Sequence, residues 1–391
     1  MSSMQARHFL APALIGALLG IAIGCAPYVY VPASAPGPPP APPATEVNVT
    51  FFYDALAPYG EWLWLSPEGW VWIPHTVPIG WRPYTYGHWV YSELGWYWVS
   101  DWDWGWAPFH YGRWSYHRHH GWIWLPGRVW APAWVAWRSG DGWIGWAPLP
   151  PGVNWRVGVG LDLGGVDLNV SISSFGWCFV EEPRFLDTRI HRYVAPPARN
   201  VTLTRITHDV THYTEVNHQV AVRSIEAERM QRVVGRPITP APIQDLPQPP
   251  ATRSERVDRE GIRVYRPPVA QTPSAREPSP PQAAPEARES RADYERQVRD
   301  LERWAQEQQE KLDQTQRRET RQPPEGVPPQ EVRERQEAEQ KALRDQVKQQ
   351  REVLDNREKQ RQDSAAERKS STRKERTPVK PKREKPKPPA G

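Results

Sequence analysis

A nine-residue phrase, repeated in register, limits what this chain can fold into more than any other feature. Trp81-Arg82-Pro83-Tyr84-Thr85-Tyr86-Gly87-His88-Trp89 is answered by Trp106-Ala107-Pro108-Phe109-His110-Tyr111-Gly112-Arg113-Trp114. A degraded copy runs from Trp130 to Trp137, and a partial one from Ala55 to Trp62. Between them falls a second phrase: Gly69-Trp70-Val71-Trp72, Gly95-Trp96-Tyr97-Trp98, Gly121-Trp122-Ile123-Trp124 and Gly142-Trp143-Ile144-Gly145-Trp146. The copies start 106 − 81 = 25 and 130 − 106 = 24 residues apart, a length that suits one short hairpin per unit. Indoles spaced two apart share one face of a strand, with an aliphatic or aromatic residue on the other. The glycine before each pair, and Pro74, Pro126 and Pro148 after several, mark turns and strand ends. Recurrent Pro and Gly also exclude a helix. The expected fold is mainly β, a meander of antiparallel hairpins whose stacked indoles replace the usual aliphatic core. Each buried aromatic side chain removes about 150–250 Å² from water, so such a core suffices.

The whole chain, 391 residues with 45 prolines, is too long and too proline-rich for one compact domain. Residues 1–24 read as a signal peptide. The apolar run Phe9 to Ile23 follows a weakly basic start at Arg7 and is too short to span a membrane as a mature helix. It ends Leu19-Gly20-Ile21-Ala22-Ile23-Gly24-Cys25, which resembles the bacterial lipobox, and that resemblance implies lipidation of Cys25. Ala26 follows Cys25 without the Asp that retains some lipoproteins at the inner membrane, which favours the outer membrane facing the periplasm. If Cys25 carries lipid, Cys178 is a lone thiol within Trp177-Cys178-Phe179-Val180, and burial rather than reactivity is expected. Residues 25–45, rich in Pro and Ala, form an extended tether.

The Trp-rich module covers 46–152 and carries five Arg against eight Asp or Glu, 5 − 8 = −3. Residues 153–235 are expected to be a second β-rich segment, from alternations at Val157 to Leu163, Val166 to Ile172 and Val201 to Val220, with a short helix at Ile225 to Val234. Residues 236–286 are Pro-rich, polar and aperiodic, and read as a disordered linker. The arm, 287–370, turns helical. Tyr294, Val298, Leu301, Ala305, Gln308, Leu312 and Thr315 make a coiled-coil-like heptad seam, and Leu343, Val347, Gln350 and Leu354 a thinner one. The break falls at 323–329, within a Pro-rich stretch. A solvated helix held by neighbouring charge pairs and a self-associating coiled coil are both open readings. Residues 371–391 form a basic tail; from Ser364 onward there are ten Lys or Arg against three Glu. The linker is expected to isolate the arm from the module, so that a chain ending near Gly235 keeps the module's fold.

The Trp-Ala-Pro-x-x-Tyr-Gly-x-Trp repeats, Trp177-Cys178-Phe179-Val180, Asn200-Val201-Thr202 and Thr211-His212-Tyr213 resemble a group of uncharacterised exported bacterial proteins, the domain of unknown function 6600 or Trp-rich repeat proteins. The resemblance covers about Val47 to Gly235. It implies an exported, β-rich module and supplies no catalytic residues.

Groups able to carry chemistry are sparse, and neither a cofactor nor a metal is expected. His117, His119 and His120, with His110 nearby, would need a hairpin tip to converge on a metal, and no Cys or fixed carboxylate completes a site. His208 and His212 have ligand-like spacing only on a helix, whereas their surroundings read as strand or turn. If extended, Asp101-Trp102-Asp103-Trp104 puts two carboxylates on one face, but solvent-facing turn residues explain it better than glycosidase chemistry does. Nucleophile elbow, phosphate loop and dinucleotide fingerprint are absent from the sequence.

The aromatics remain as candidate ligand platforms: Trp81, Tyr86, Trp89, Trp106, Tyr111 and Trp114, against the reading that these rings are core. The expectation is a non-enzymatic envelope lipoprotein that binds or scaffolds. The alternative is a carbohydrate- or peptidoglycan-binding module, with weak or lost hydrolase activity. Expected partners are the membrane through the N-terminal lipid, envelope polysaccharide, peptidoglycan or envelope proteins, and a second copy through the arm. Nucleic acid is discounted, because a negative aromatic module lacks the interleaved cations such binding needs.

Overall fold

The glycine of each Tyr-Gly-x-Trp phrase is required by the indole across the hairpin from it. A methyl group on Gly60 would fall 2.5 Å from the Trp72 ring; on Gly87, 2.7 Å from the Trp98 ring; on Gly112, 2.9 Å from Trp124 Nε1. In each case it would also meet a partner-strand carbonyl at 2.0–2.2 Å. The motif therefore records close indole-on-backbone packing at the start of three of the four Trp-rich hairpins.

The structure is a computed structural model that describes residues 50–248, 255–270 and 291–375. A short helix α1 (Phe51–Leu56) leads into four antiparallel hairpins. They are β1 (Gly60–Leu65) with β2 (Gly69–Pro74), β3 (Gly87–Ser92) with β4 (Gly95–Ser100), β5 (Arg113–His117) with β6 (Gly121–Leu125), and β7 (Val135–Gly140) with β8 (Trp143–Pro148). The predicted hairpins are thus present, one per repeat, but not as a meander: the first pairs with the third through Trp72 and Trp124, while the second and fourth lie in separate sheets. Cross-strand pairs set indole against indole: Trp62 with Trp72, Trp72 with Trp124, Trp114 with Trp124, Trp89 with Trp98 and Trp137 with Trp146. Such pairs contribute about 0.5–1.5 kcal/mol each beyond the area they bury.

Burying an indole leaves an N–H to satisfy, and for five of them α1 and the loops between hairpins supply the acceptors, while Trp62, Trp89, Trp98 and Trp137 bury theirs without one. Trp72 donates to Leu56 O at 3.1 Å, Trp124 to Tyr111 O at 2.8 Å and Trp146 to Tyr84 O at 2.8 Å. Trp114 donates to Pro108 O at 2.8 Å and Trp134 to His110 O at 3.0 Å. These bonds lock hairpins to one another as well as to their own loops.

Later segments complete the sheets. β9 (Asn154–Arg156) and β10 (Gly160–Asp162) form a small separate hairpin. The expected strand at Val166 to Ile172 is instead helix α2 (Leu168–Ser171), capped by Asp167. β11 (Cys178–Glu181) adds to β8, giving the order β11-β8-β7-β12 with the two-residue β12 (His208–Asp209). Cys178 is fully buried as a free thiol, and burial pushes its pKa up. The stretch Asn200 to Ile206, expected as strand, is helix α3 (Asn200–Ile206), in which Leu203 is buried and Asn200 donates to Ser174 O and Trp177 O. β13 (Tyr213–Val216) and β14 (Gln219–Val222) extend the second hairpin in the order β13-β14-β4-β3, and α4 (Ala227–Val234) follows where a helix was expected. The remaining four-stranded sheet has the order β1-β2-β6-β5.

Two boundaries expected from composition are corrected. The segment 236–286 is not wholly linker: β15 (Ile243–Asp245), β16 (Arg256–Asp258) and β17 (Gly261–Val264) form a three-stranded sheet. Ile262 and Val264 cover Tyr97 and Val99. Glu255, at the head of this strap, enters the core. Its carboxylate accepts from the Tyr97 hydroxyl at 2.7 Å and from the Ser100 N–H at 3.0 Å. His110 Nε2 lies 2.6 Å away, off the hydrogen-bonding line and fully buried. A proline-rich composition concealed a strand whose apolar residues alternate.

The arm is the second correction. α5 (Arg291–Arg321) and α6 (Pro329–Glu375) flank the predicted break and pack antiparallel, with Tyr294 bonded to Asp355 and Gln309 to Gln340. Part of their seam faces the β region. Leu312, Ala342 and Leu343 bury against Ala198, and Trp304 lies directly on the backbone of Gly80. Arg199 pairs with Glu319 at 2.7 Å and with Glu339 at 3.6 Å, and Glu339 also accepts from Thr202 at 2.6 Å and Gln316 at 3.0 Å. The signal segment, the tether and the basic residues from 376 lie outside the described residues, Cys25 among them.

Candidate functional site

Five of the six aromatic residues nominated as platforms are core. Trp81, Trp89, Trp106, Tyr111 and Trp114 are 6%, 2%, 4%, 1% and 2% exposed. Trp89 packs on Trp98, Trp137 and Trp146, and Trp114 on Trp72, Trp81 and Trp104. The two repeat positions are equivalent in burial, as the register requires. Four hairpins have few aliphatic side chains to bury, so the rings turn inward. Only Tyr86 keeps an edge at the surface, stacked on His191 with centroids 4.9 Å apart. The exposed indole is one that sequence reasoning passed over: Trp64, 64% exposed and set edge-on to Trp70 at 5.5 Å. Its place one strand step past Trp62 gave no sign that the sheet ends beneath it.

The histidines divide. His110 belongs to the core contact with Glu255. His117 stacks on His120 at 4.8 Å and meets His119 at 5.6 Å, but no group of three or more metal-ligating side chains among the described residues is arranged to hold an ion. Burial, then His117, Arg357 and His119, hold the His120 pKa down at about 4. His208 and His212 are both exposed. Asp101 and Asp103 sit in turns, exposed, with Trp104 buried between the hairpins; the extended geometry that would align the carboxylates is not adopted.

A cavity of about 100 Å³ lies where helix α6 crosses the β module. The loop Pro74 to Arg82 forms one wall, Tyr116, Gly121 and Trp122 of the β5–β6 hairpin another, and Phe175 part of its base. Helix α6 closes it with Gln346, Gln349, Gln350, Val353, Leu354 and Arg357. Trp81 is the one nominated residue that reaches it. Its neighbours were illegible in the sequence because they depend on the arm docking against residues roughly 270 positions earlier in the chain. Arg82 donates to Trp177 O at 2.6 Å and Arg357 to His120 O at 3.0 Å, so both guanidinium groups are braced. Tyr116, its pKa pushed up to about 12 mainly by burial, is a neutral phenol here. Three buried polar atoms on lining residues have no hydrogen-bond partner: Trp81 Nε1, Arg82 Nε and Gln346 Oε1. Each unsatisfied group costs about 1–3 kcal/mol.

Among the described residues, no helix is long and apolar enough to cross a membrane. Neither a curated protein nor a solved structure matches the chain. The Trp-rich stretch itself does find a match: residues 53–153, the four hairpins and the loops that bond to their indoles, fit the model of a family of unknown function, DUF6600.

Proposed function

We propose that this chain is a non-enzymatic lipoprotein of the bacterial envelope, exported and held at a membrane by lipid on Cys25, whose β module and docked arm together bind or scaffold another envelope component. The observation that carries this reading is the cavity beneath α6, with aromatic walls, braced cations and unpaired polar atoms. Mostly apolar concave sites with a few placed polar groups are where proteins take small ligands. The apolar run ending at Cys25 supports the anchor, and Ala26 supports the outer membrane facing the periplasm. Part of the arm's apolar seam is spent on its own module, so a protein or polymer partner is favoured over self-association. The test is capture of partners from the native envelope, with Cys25→Ser as control. The variant should leave the membrane fraction or stay unprocessed, and normal processing with unchanged membrane retention would refute the anchor.

Trp64 favours a second reading, binding of envelope polysaccharide or peptidoglycan by ring stacking. An indole 64% exposed beside a partly buried partner ring presents a flat apolar surface. Cosedimentation with purified cell-wall sacculi should fall at least tenfold in Trp64→Ala while stability holds. Equal cosedimentation of the variant would remove this reading.

A further inference from the structure

We infer that the cavity beneath α6 binds an acidic saccharide unit, a single sugar ring bearing a carboxylate. This rests on the binding-module reading and names the ligand class of that same site.

Charge decides the first point. The cavity is lined by Arg82 and Arg357 and by no Asp or Glu side chain among the described residues. It therefore attracts an anionic group and repels a cation. Guanidinium groups meet carboxylates with two parallel N–H donors, so two arginines held by backbone carbonyls make a directed receptor.

The remaining lining fits a sugar better than a bare anion. Trp81, Trp122, Tyr116 and Phe175 offer ring surface for the C–H face of a pyranose. Gln346, Gln349 and Gln350 follow the turns of α6 and present amides, each able to donate and accept, as hydroxyl groups require. The unpaired atoms divide into two donors, Trp81 Nε1 and Arg82 Nε, and one acceptor, Gln346 Oε1. Size sets the limit: about 100 Å³ holds one ring or a few waters and excludes a stretch of polymer. The site is also composite, because Arg357 and the glutamines belong to the arm and the rings to the module.

Calorimetry and intrinsic tryptophan fluorescence on the full exported chain test this, with glucuronate and N-acetylmuramate as probes and glucose as the neutral control. Both acids should bind saturably, and glucose at least tenfold more weakly. Arg357→Gln, half-buried in the cavity wall, should weaken the acids tenfold or more with an unchanged near-ultraviolet spectrum. Gln350→Ala should weaken them severalfold, also with an unchanged spectrum. Glucose binding as well as the acids, undiminished acid binding by Arg357→Gln, or silence from both acids would each overturn the assignment. Silence here beside successful envelope capture would remove the ligand class alone. Saturable sugar binding without envelope capture would leave the cavity standing and remove the envelope partner.

Discussion

Replacing Arg199 with alanine should release the arm from the β module without unfolding the module. Glu339 is 1% exposed and Arg199 9% exposed, so the change strands a buried carboxylate. Breaking a buried pair from one side costs about 3–5 kcal/mol. The lower end applies, because the Arg199–Glu339 contact is loose at 3.6 Å and Thr202 and Gln316 still serve the carboxylate. About 3 kcal/mol corresponds to a shift of roughly 150-fold in the docking equilibrium. Hydrogen exchange reads it directly: amides of α6 from 336 to 357 should lose protection by about two orders of magnitude, while those of β3 and β4 keep theirs. Trp304, the arm's lone indole, should move toward water and red-shift its emission. Arg199→Met with Glu339→Leu should restore much of the protection, since removing both charges leaves nothing stranded. Equal loss across hairpins and arm would show that docking and the core are one cooperative unit. Unchanged exchange in α6 would show that the ion pair contributes nothing to docking.

Other outcomes follow from single features. Trp89→Ala and Trp114→Ala should each cost about 3–5 kcal/mol in chemical denaturation, and a large loss at only one would break their equivalence as core positions. Gly87→Ala, which drives a methyl group into the Trp98 ring and the Val99 carbonyl, should abolish the folded near-ultraviolet signal; a variant with wild-type melting would refute the packing account of the motif. His120 stays neutral in the folded chain down to about pH 4, through burial first and neighbouring cations second, whereas an unfolded histidine titrates near 6.5. The unfolded state therefore takes up the proton first as pH falls, so this contribution is full above pH 6.5 and is lost between there and about 4. His120→Gln should flatten the melting temperature over that window, and an unchanged slope would assign the acid sensitivity elsewhere.

Local regularity was legible, and long-range closure was not. Tyr-Gly-x-Trp and Gly-Trp-x-Trp announced four hairpins because each is satisfied within about 25 residues. The strap at Glu255 to Val264 was hidden by surrounding prolines; its alternating Ile262 and Val264 were too short to register as a strand. The arm's heptad showed an apolar stripe, but a stripe does not say what covers it, and Ala198 and Gly80 carry no mark of a docking surface. Trp81 was chosen as a platform for its repeat position and proved to line a cavity for a different reason, the helix laid across it. Asp167 caps the short helix at Leu168–Ser171 by a local bond that period counting does not weigh, and α3 follows from Asn200 and Leu203 packing inward, a long-range contact.

The buried carboxylate of Glu255 bears on the order in which this chain can be assembled. Residues 53–153 hold the four Trp-rich hairpins, yet His110 and the Tyr97 hydroxyl find their carboxylate 255 − 153 = 102 residues beyond the end of that stretch. Trp96 likewise donates its indole proton to the carbonyl of Ile225, at 2.7 Å. A chain delivered N-terminus first thus presents its tryptophans long before it presents the groups that close over them. During that interval the hairpins are sticky, half-capped surfaces, and a holding factor or rapid delivery of the remainder must protect them.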